Sequence, residues 1–264
     1  MSHLSLRNVS RLFGAFKALD QISLEVHQGE FISVVGPSGC GKSTLLQIIG
    51  ALLLPSSGEV VLGGKAVRSP PREMVYLFQQ YNRSLFPWRT VRRNIAFGLE
   101  RIGLSQADID RRSSEYIQLV GLGAFADHFP HQLSGGMQQR VAVARALAYG
   151  AEVLLMDEPF GSLDAQTRAG LQDLLLKLWQ ERKFTVLFVT HDIEEAIYLA
   201  QKILILSKAP ATITLIVDSG LTYPRHQIRS KETDEFLARR REVYSYIFPH
   251  ALEGRDLATE NGAL

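Results

Sequence analysis

The sequence predicts an α/β fold around a parallel sheet covered on both faces. Three observations predict it. Short continuous apolar runs recur at residues 31–35, 153–156, 185–189 and 203–206. Segments of helical period separate the later runs, and a glycine-rich turn at Gly36–Thr44 joins an apolar run to a helical one.

The elements follow in order. Residues 21–26 alternate as a strand, Gly29 turns the chain, and 31–35 form a buried strand. A helical run covers 43–50, and 59–62 form a strand ended by Gly63-Gly64. Residues 90–120 are helical in pattern, with Ser105 and Asp108 spaced as a capping box and Gly121 as the stop. A helix over 137–149 precedes the strand at 153–156. Leu171, Leu174, Leu175 and Leu178 then fall on one helix face. Strands at 185–189 and 203–206 follow, and the tail after Pro224, with Arg239, Arg240 and Arg241, reads as a solvated amphipathic helix.

Composition excludes several classes. With 264 residues, the chain makes one large domain or two small ones, and 46% hydrophobic against 21% charged residues exclude wholesale disorder. Lys and Arg number 29 against 27 Asp and Glu, a net charge of +2 too weak to point to nucleic acid. The single cysteine, Cys40, excludes an intramolecular disulfide and fits a reducing compartment. The first residues carry no signal-peptide pattern, and the longest apolar run, 45–54, is broken by Gln47 and Gly50. A cytosolic protein is expected, unless a partner holds it at a membrane.

Gly36-Pro37-Ser38-Gly39-Cys40-Gly41-Lys42-Ser43-Thr44 fits the phosphate-binding pattern G-x-x-x-x-G-K-[ST]. Its glycines let backbone N–H groups point at phosphate oxygens, and the following helix N-terminus adds favourable partial charge. Lys42 would reach the β- and γ-phosphates and the Ser43 hydroxyl would ligate Mg²⁺; Cys40 reads as a small loop residue. The run Val153-Leu154-Leu155-Met156-Asp157-Glu158-Pro159 ends an apolar strand in two acids. On a strand beside the phosphate-loop strand, Asp157 suits Mg²⁺ and Glu158 suits a general base for water. These features leave kinase, GTPase, helicase and transport ATPase open.

Leu133-Ser134-Gly135-Gly136-Met137-Gln138-Gln139-Arg140 is more specific. Read alone, Ser134 is a helix N-cap, the glycines allow a close approach, and the free N–H groups make a second phosphate site. The string resembles the signature motif of ATP-binding-cassette (ABC) ATPases. The resemblance covers about residues 4 to 210. It implies a P-loop NTPase cassette with a RecA-like core, an antiparallel β-subdomain and an inserted helical subdomain at about 85–137. The cassette would span 1–220, with a short C-terminal helical tail at 221–264.

In this family the signature of one subunit closes over the nucleotide of its partner, so Ser134, Gly135, Gly136 and Gln138 are expected to act in trans in a dimer. Gln79 looks like the glutamine that senses Mg²⁺ and γ-phosphate and moves with the membrane partner; Ser43, Gln79 and Asp157 are the implied metal set. Asp164, in Ser162-Leu163-Asp164, looks like part of the loop crossing the dimer interface. His191 looks like the switch histidine on the γ-phosphate, although Asp192 and Glu195 around it also form a capping box. Phe13 sits where the family places an aromatic against adenine; a buried core Phe is the alternative.

One uninterrupted cassette without a heptad run or fused spanning helices is similar to the ATP-binding subunit of a bacterial importer. The alternative is a soluble ABC ATPase acting on ribosomes or DNA. The short tail, Leu85-Phe86-Pro87-Trp88-Arg89-Thr90-Val91 and Phe188-Val189-Thr190-His191-Asp192-Ile193-Glu194-Glu195-Ala196 resemble the nitrate, sulfonate and taurine importer ATPases. Between Gln79 and Pro87 the chain departs from that pattern with a slightly longer segment. Trp88 is either a core aromatic or part of a docking groove. The implied ligands are ATP and Mg²⁺. The implied partners are a second ATP-binding subunit, permease subunits and, indirectly, an external solute-binding protein, at the cytoplasmic face of the membrane.

Overall fold

The computed structural model describes residues 3–78, 84–100 and 102–248. Two sheets organise it. A four-stranded antiparallel sheet has the order β2-β1-β4-β5, built from β1 (Leu4–Phe13), β2 (Phe16–Val26), β4 (Ser57–Leu62) and β5 (Lys65–Ala66). The six-stranded sheet has the order β10-β9-β3-β8-β7-β6. Its members are β3 (Phe31–Val35), β6 (Met74–Leu77), β7 (Val153–Asp157), β8 (Thr185–Val189), β9 (Lys202–Leu206) and β10 (Ile213–Asp218). Every pair in it is parallel except β10 with β9.

The apolar runs are continuous because both sheet faces are covered. Along β3, Ile32 and Val34 point into one core with β1, β2 and Leu45, Leu46 and Ile49 of α1 (Lys42–Ile49). Phe31 and Val35 point into the other, with Phe188, Trp179 and the remaining helices. The 90–120 segment is two helices, α2 (Val91–Leu99) and α3 (Gln106–Leu119), and Gly121 stops the second at φ 71°. They pack with α4 (Gly135–Ala148), which begins at the signature glycines. Next come α5 (Ala165–Arg182), α6 (Ile193–Leu199) and α7 (Asp234–Ile247).

Three expectations change. The strand carrying Asp157 is not beside the phosphate-loop strand, because β8 lies between β3 and β7. The tail helix is not simply solvated: Phe236 and Val243 of α7 are fully buried in the main core. Trp88 is no core aromatic, being 71% exposed. No helix among the described residues is long and apolar enough to cross a membrane.

Candidate nucleotide site

The site sits at the C-terminal ends of β3, β8 and β7, where ligands of open parallel sheets collect. The loop after β3 turns into α1 through Gly41, whose φ of 108° favours glycine and whose Cβ would lie 2.9 Å from Leu19 Cδ2. No side chain caps α1, so its first N–H groups stay available to an anion. Lys42 is 7% exposed and folds back, donating Nζ to Gly36 O at 2.8 Å and Pro37 O at 3.1 Å. Ser38 and Gly39 are exposed at the loop tip and Thr44 is half-buried in the first turn. Burial pushes the Cys40 thiol up against the opposing pull of Lys42, so it stays protonated and inert.

Helix α1 packs against β7 and β8, which carries Ser43 across the intervening strand. Its hydroxyl donates to Asp157 Oδ1 at 2.9 Å, and Tyr76 on β6 donates to Asp157 Oδ2 at 2.9 Å. Burial and the neighbouring Asp157 charge raise the Tyr76 phenol well above its usual range, so it remains a donor. Glu158 lies just beyond, at φ 44°, with its N–H bonded to Val189 O at 2.9 Å. A non-glycine residue there stores strain of order 1–3 kcal/mol, which persists where the surroundings over-determine it. Glu158 Oε2 lies 3.2 Å from His191 Nδ1, and the imidazole is largely exposed.

The capping box around His191 is only half made. Asp192 Oδ1 accepts the Glu195 N–H at 3.1 Å, but the Glu195 carboxyl turns inward to Thr190 and Gln172. The Asp192 N–H is satisfied by Thr190 Oγ1 at 3.0 Å instead. Burial pushes the Glu195 carboxyl up, while the hydrogen bonds from Thr190 and Gln172 pull it back. The box at Ser105 is likewise half made, since Asp108 binds the Ser105 hydroxyl and Arg111.

The signature residues stand apart from this cluster. Ser134 caps α4 by accepting the Met137 N–H at 3.3 Å, and Ser134 and Gly135 are exposed. Gly136 is buried against α5, so close that a Cβ would lie 2.3 Å from Thr167 Cγ2. Gln138 turns back on its own chain, donating to Pro130 O at 2.9 Å and Leu133 O at 3.2 Å. Asp164 caps α5 through the Thr167 N–H at 2.9 Å, and that bond lowers its carboxyl pKa. Phe13 is 44% exposed at the tip of the β1–β2 hairpin with Arg11 4.6 Å over its ring, so it is no core residue. Gln79 and the 79–83 part of the longer segment lie outside the described residues.

The sequence reading gave Glu195 only a capping role and assigned none to Tyr76, Thr190, Gln172 or Gln139, whose Nε2 donates to Pro159 O at 2.6 Å. Only the polar residues on otherwise apolar helix faces could have flagged Gln139 and Gln172. Tyr76 had no such signal.

A phosphate loop, a strand-end carboxylate pair and a histidine at the next strand end define a P-loop nucleotide-hydrolysing cassette. The family profile described as ABC transporter matches residues 19–161, and the chain belongs to that family of ABC ATPases. A putative ATP-binding protein of Brucella abortus is 47% identical over 93% of both chains. The aliphatic sulfonates import ATP-binding protein SsuB of Bacillus anthracis is 41% identical, over 88% of this chain and 95% of its own. The nitrate import ATP-binding protein NrtC of Synechococcus elongatus is 44% identical over 89% of this chain and 36% of its own longer one. A dimeric post-hydrolysis structure of the ATP-binding cassette MJ0796, bound to ADP and Pi, superposes with a TM-score of 0.70 at 35% identity, over 83% of this chain and all of that one.

Proposed function

We propose that this chain energises a bacterial importer of nitrate, sulfonate, taurine or a related small solute. Two copies would bind two MgATP head to tail beneath the permease subunits, at the cytoplasmic face of the membrane. An external solute-binding protein would act on the permeases. The import proteins for sulfonates and nitrate, each more than 40% identical over most of this chain, support the solute class. Residues 1–220 form the cassette in this reading and 221–264 the short C-terminal tail, of which Phe236 and Val243 are buried in the main core.

The observation that carries the chemistry is the pair of contacts Ser43–Asp157 and Glu158–His191 at adjoining strand ends. Mg²⁺ takes few protein oxygens and keeps phosphate and water around it, and the touching Ser43 hydroxyl and Asp157 carboxylate suit that habit. When bound, the ion would neutralise charge on the phosphates. Lys42 would leave its loop carbonyls for the phosphates, Glu158 would orient and deprotonate water, and His191 would hold the γ-phosphate. Phe13 would stack on the base. Ser134, Gly135 and Gly136 would bind the partner's nucleotide, with Asp164 at the crossing loop. Gln138 in this reading shapes the turn before α4, given its bonds to Pro130 and Leu133.

Gln79 and the Phe86–Trp88 segment would carry the motion to the permease. At Phe86 a groove of about 510 Å³ opens between β6, α2 and α4, lined also by Phe97, Ile102, Arg145 and Tyr149. Exposed Trp88 packs 5.6 Å from Phe86, and in this reading the two would receive a permease segment.

The test is to express tagged Glu158→Gln chain in its native host, solubilise the membranes with ATP and identify what copurifies. A polytopic membrane protein in near-equal amount is the expected result. Recovery from the soluble fraction with ribosomes or DNA-repair proteins would replace the importer reading.

A further inference from the structure

Behind His191 runs a chain of side-chain hydrogen bonds that reaches the C-terminal segment. Gln227 donates Nε2 to Gln172 Oε1 at 2.9 Å, with Asp173 Oδ1 at 3.0 Å and Ala169 O at 3.2 Å also facing that nitrogen. Buried Gln172, on α5, donates its own Nε2 to Glu195 Oε1 at 2.8 Å. The other oxygen of buried Glu195 accepts the Thr190 hydroxyl at 2.5 Å. Thr190 immediately precedes His191 and also accepts the Asp192 N–H, so one hydroxyl brackets the turn that carries the imidazole.

The direction of each bond is forced. Ala169 O and Asp173 Oδ1, acceptors that no amide flip alters, both face the Gln227 nitrogen, so that amide cannot be reversed. Gln172 must then present oxygen to Gln227 and nitrogen to Glu195, and Glu195 accepts on both sides. The same segment grips α6 from outside. Arg225 Nη1 donates to the carbonyls of Ile197 at 2.9 Å, Tyr198 at 2.8 Å and Ala200 at 2.9 Å, groups at the end of α6 that its own ladder leaves short of donors. Arg240 pairs with Glu194 in its first turn at 2.8 Å. Such a buried network holds geometry well only when every member is satisfied.

We propose that Glu195, Gln172 and Gln227 are positioning residues for His191, which makes the C-terminal segment a working part of the hydrolytic site. This rests on the reading of His191 as the γ-phosphate contact. The relay fixes the turn between β8 and α6, and hence the side of the cleft on which the imidazole stands. It touches neither the phosphate loop nor the base-stacking hairpin, so its loss should lower kcat and leave KM for ATP nearly unchanged.

The forced polarity supplies a sharp test on the full chain. Glu195→Gln loses a bond in either amide orientation, because its nitrogen either faces the Gln172 nitrogen or faces the Thr190 hydroxyl and leaves that proton without an acceptor, and Gln172→Glu removes the donor Glu195 needs. The two together restore every bond, because the new carboxylate at 172 accepts from both sides while the new amide at 195 donates to it and accepts from Thr190. Each single variant should hydrolyse ATP about tenfold more slowly, with KM within about twofold, and the double variant should recover to within about threefold of wild type. Gln227→Ala, at the outer end where folding is least at risk, should slow hydrolysis about threefold at a near-normal melting temperature. Singles that melt lower yet keep kcat, a double no better than the singles, or an unchanged kcat in Gln227→Ala would overturn the proposal. His191→Ala is measured alongside. If it hydrolyses normally, the reading of His191 itself has failed and the relay proposal falls with it; if it is inactive while the swap pattern is missing, only the relay has failed.

Discussion

Two helices in this molecule begin at glycine-rich turns, and they are finished differently. At α1 no side chain caps the start, Lys42 is folded onto its own loop, and Ser43 is bonded to Asp157 across a strand. At α4 the Ser134 hydroxyl takes one of its own N–H groups, while Ser134 and Gly135 face outward with no catalytic side chain beside them. One turn has hydrolytic side chains of its own chain beside it. The other offers N–H donors to an anion without such side chains beside it among the described residues, and we propose that it serves another molecule's nucleotide. Similar local sequence therefore does not imply a similar job; what surrounds the helix start decides it.

The largest expected effect tests the first turn's chemistry. Glu158→Gln should cut turnover by about 10²–10⁴-fold while ATP still binds, and near-normal hydrolysis would remove Glu158 as the base. Ser134→Arg should abolish ATP-dependent dimerisation, followed by light scattering, while the monomer binds ATP normally. A persisting dimer would make the two turns alike after all. Lys42→Ala should weaken ATP binding by about 10–100-fold in a calorimeter, the equivalent of one charge-assisted hydrogen bond of about 1.5–3 kcal/mol. The smallest effect is in stability: Gly136→Ala should cost about 1–3 kcal/mol by forcing its Cβ against Thr167. Adding Thr167→Ser removes the offending methyl, so chemical denaturation should show most of that loss recovered; no recovery would mean Gly136 is needed for its backbone instead.

Much of the site was legible because its residues cluster in short strings. Lys42 with Ser43, and Asp157 with Glu158, are neighbours in sequence, and each string carries its own strand or helix context. The order of strands was not legible. Nothing local says that β8 separates β3 from β7, and the expectation that they adjoin failed for that reason. Helix capping misled in another way. Asp192 and Glu195 have the right spacing for a reciprocal box, but Thr190 and Gln172 offered the Glu195 carboxyl buried donors instead. The tail helix looked solvated because Arg239, Arg240 and Arg241 stand among acids and aromatics, yet Phe236 and Val243 are buried and anchor it.

By itself, then, the sequence determined the alternation of strands and helices, the phosphate loop, the acidic strand end and the signature turn, since each depends on residues within a few positions of one another. Tertiary structure alone decided that Ser43 meets Asp157, that Tyr76 supports that carboxylate, and that Gln227 reaches Thr190 through two buried side chains. Those contacts join residues tens to more than a hundred positions apart. The physical reason is that hydrogen-bond partners are chosen by which groups lie within about 3 Å after packing, and packing is a property of the whole chain.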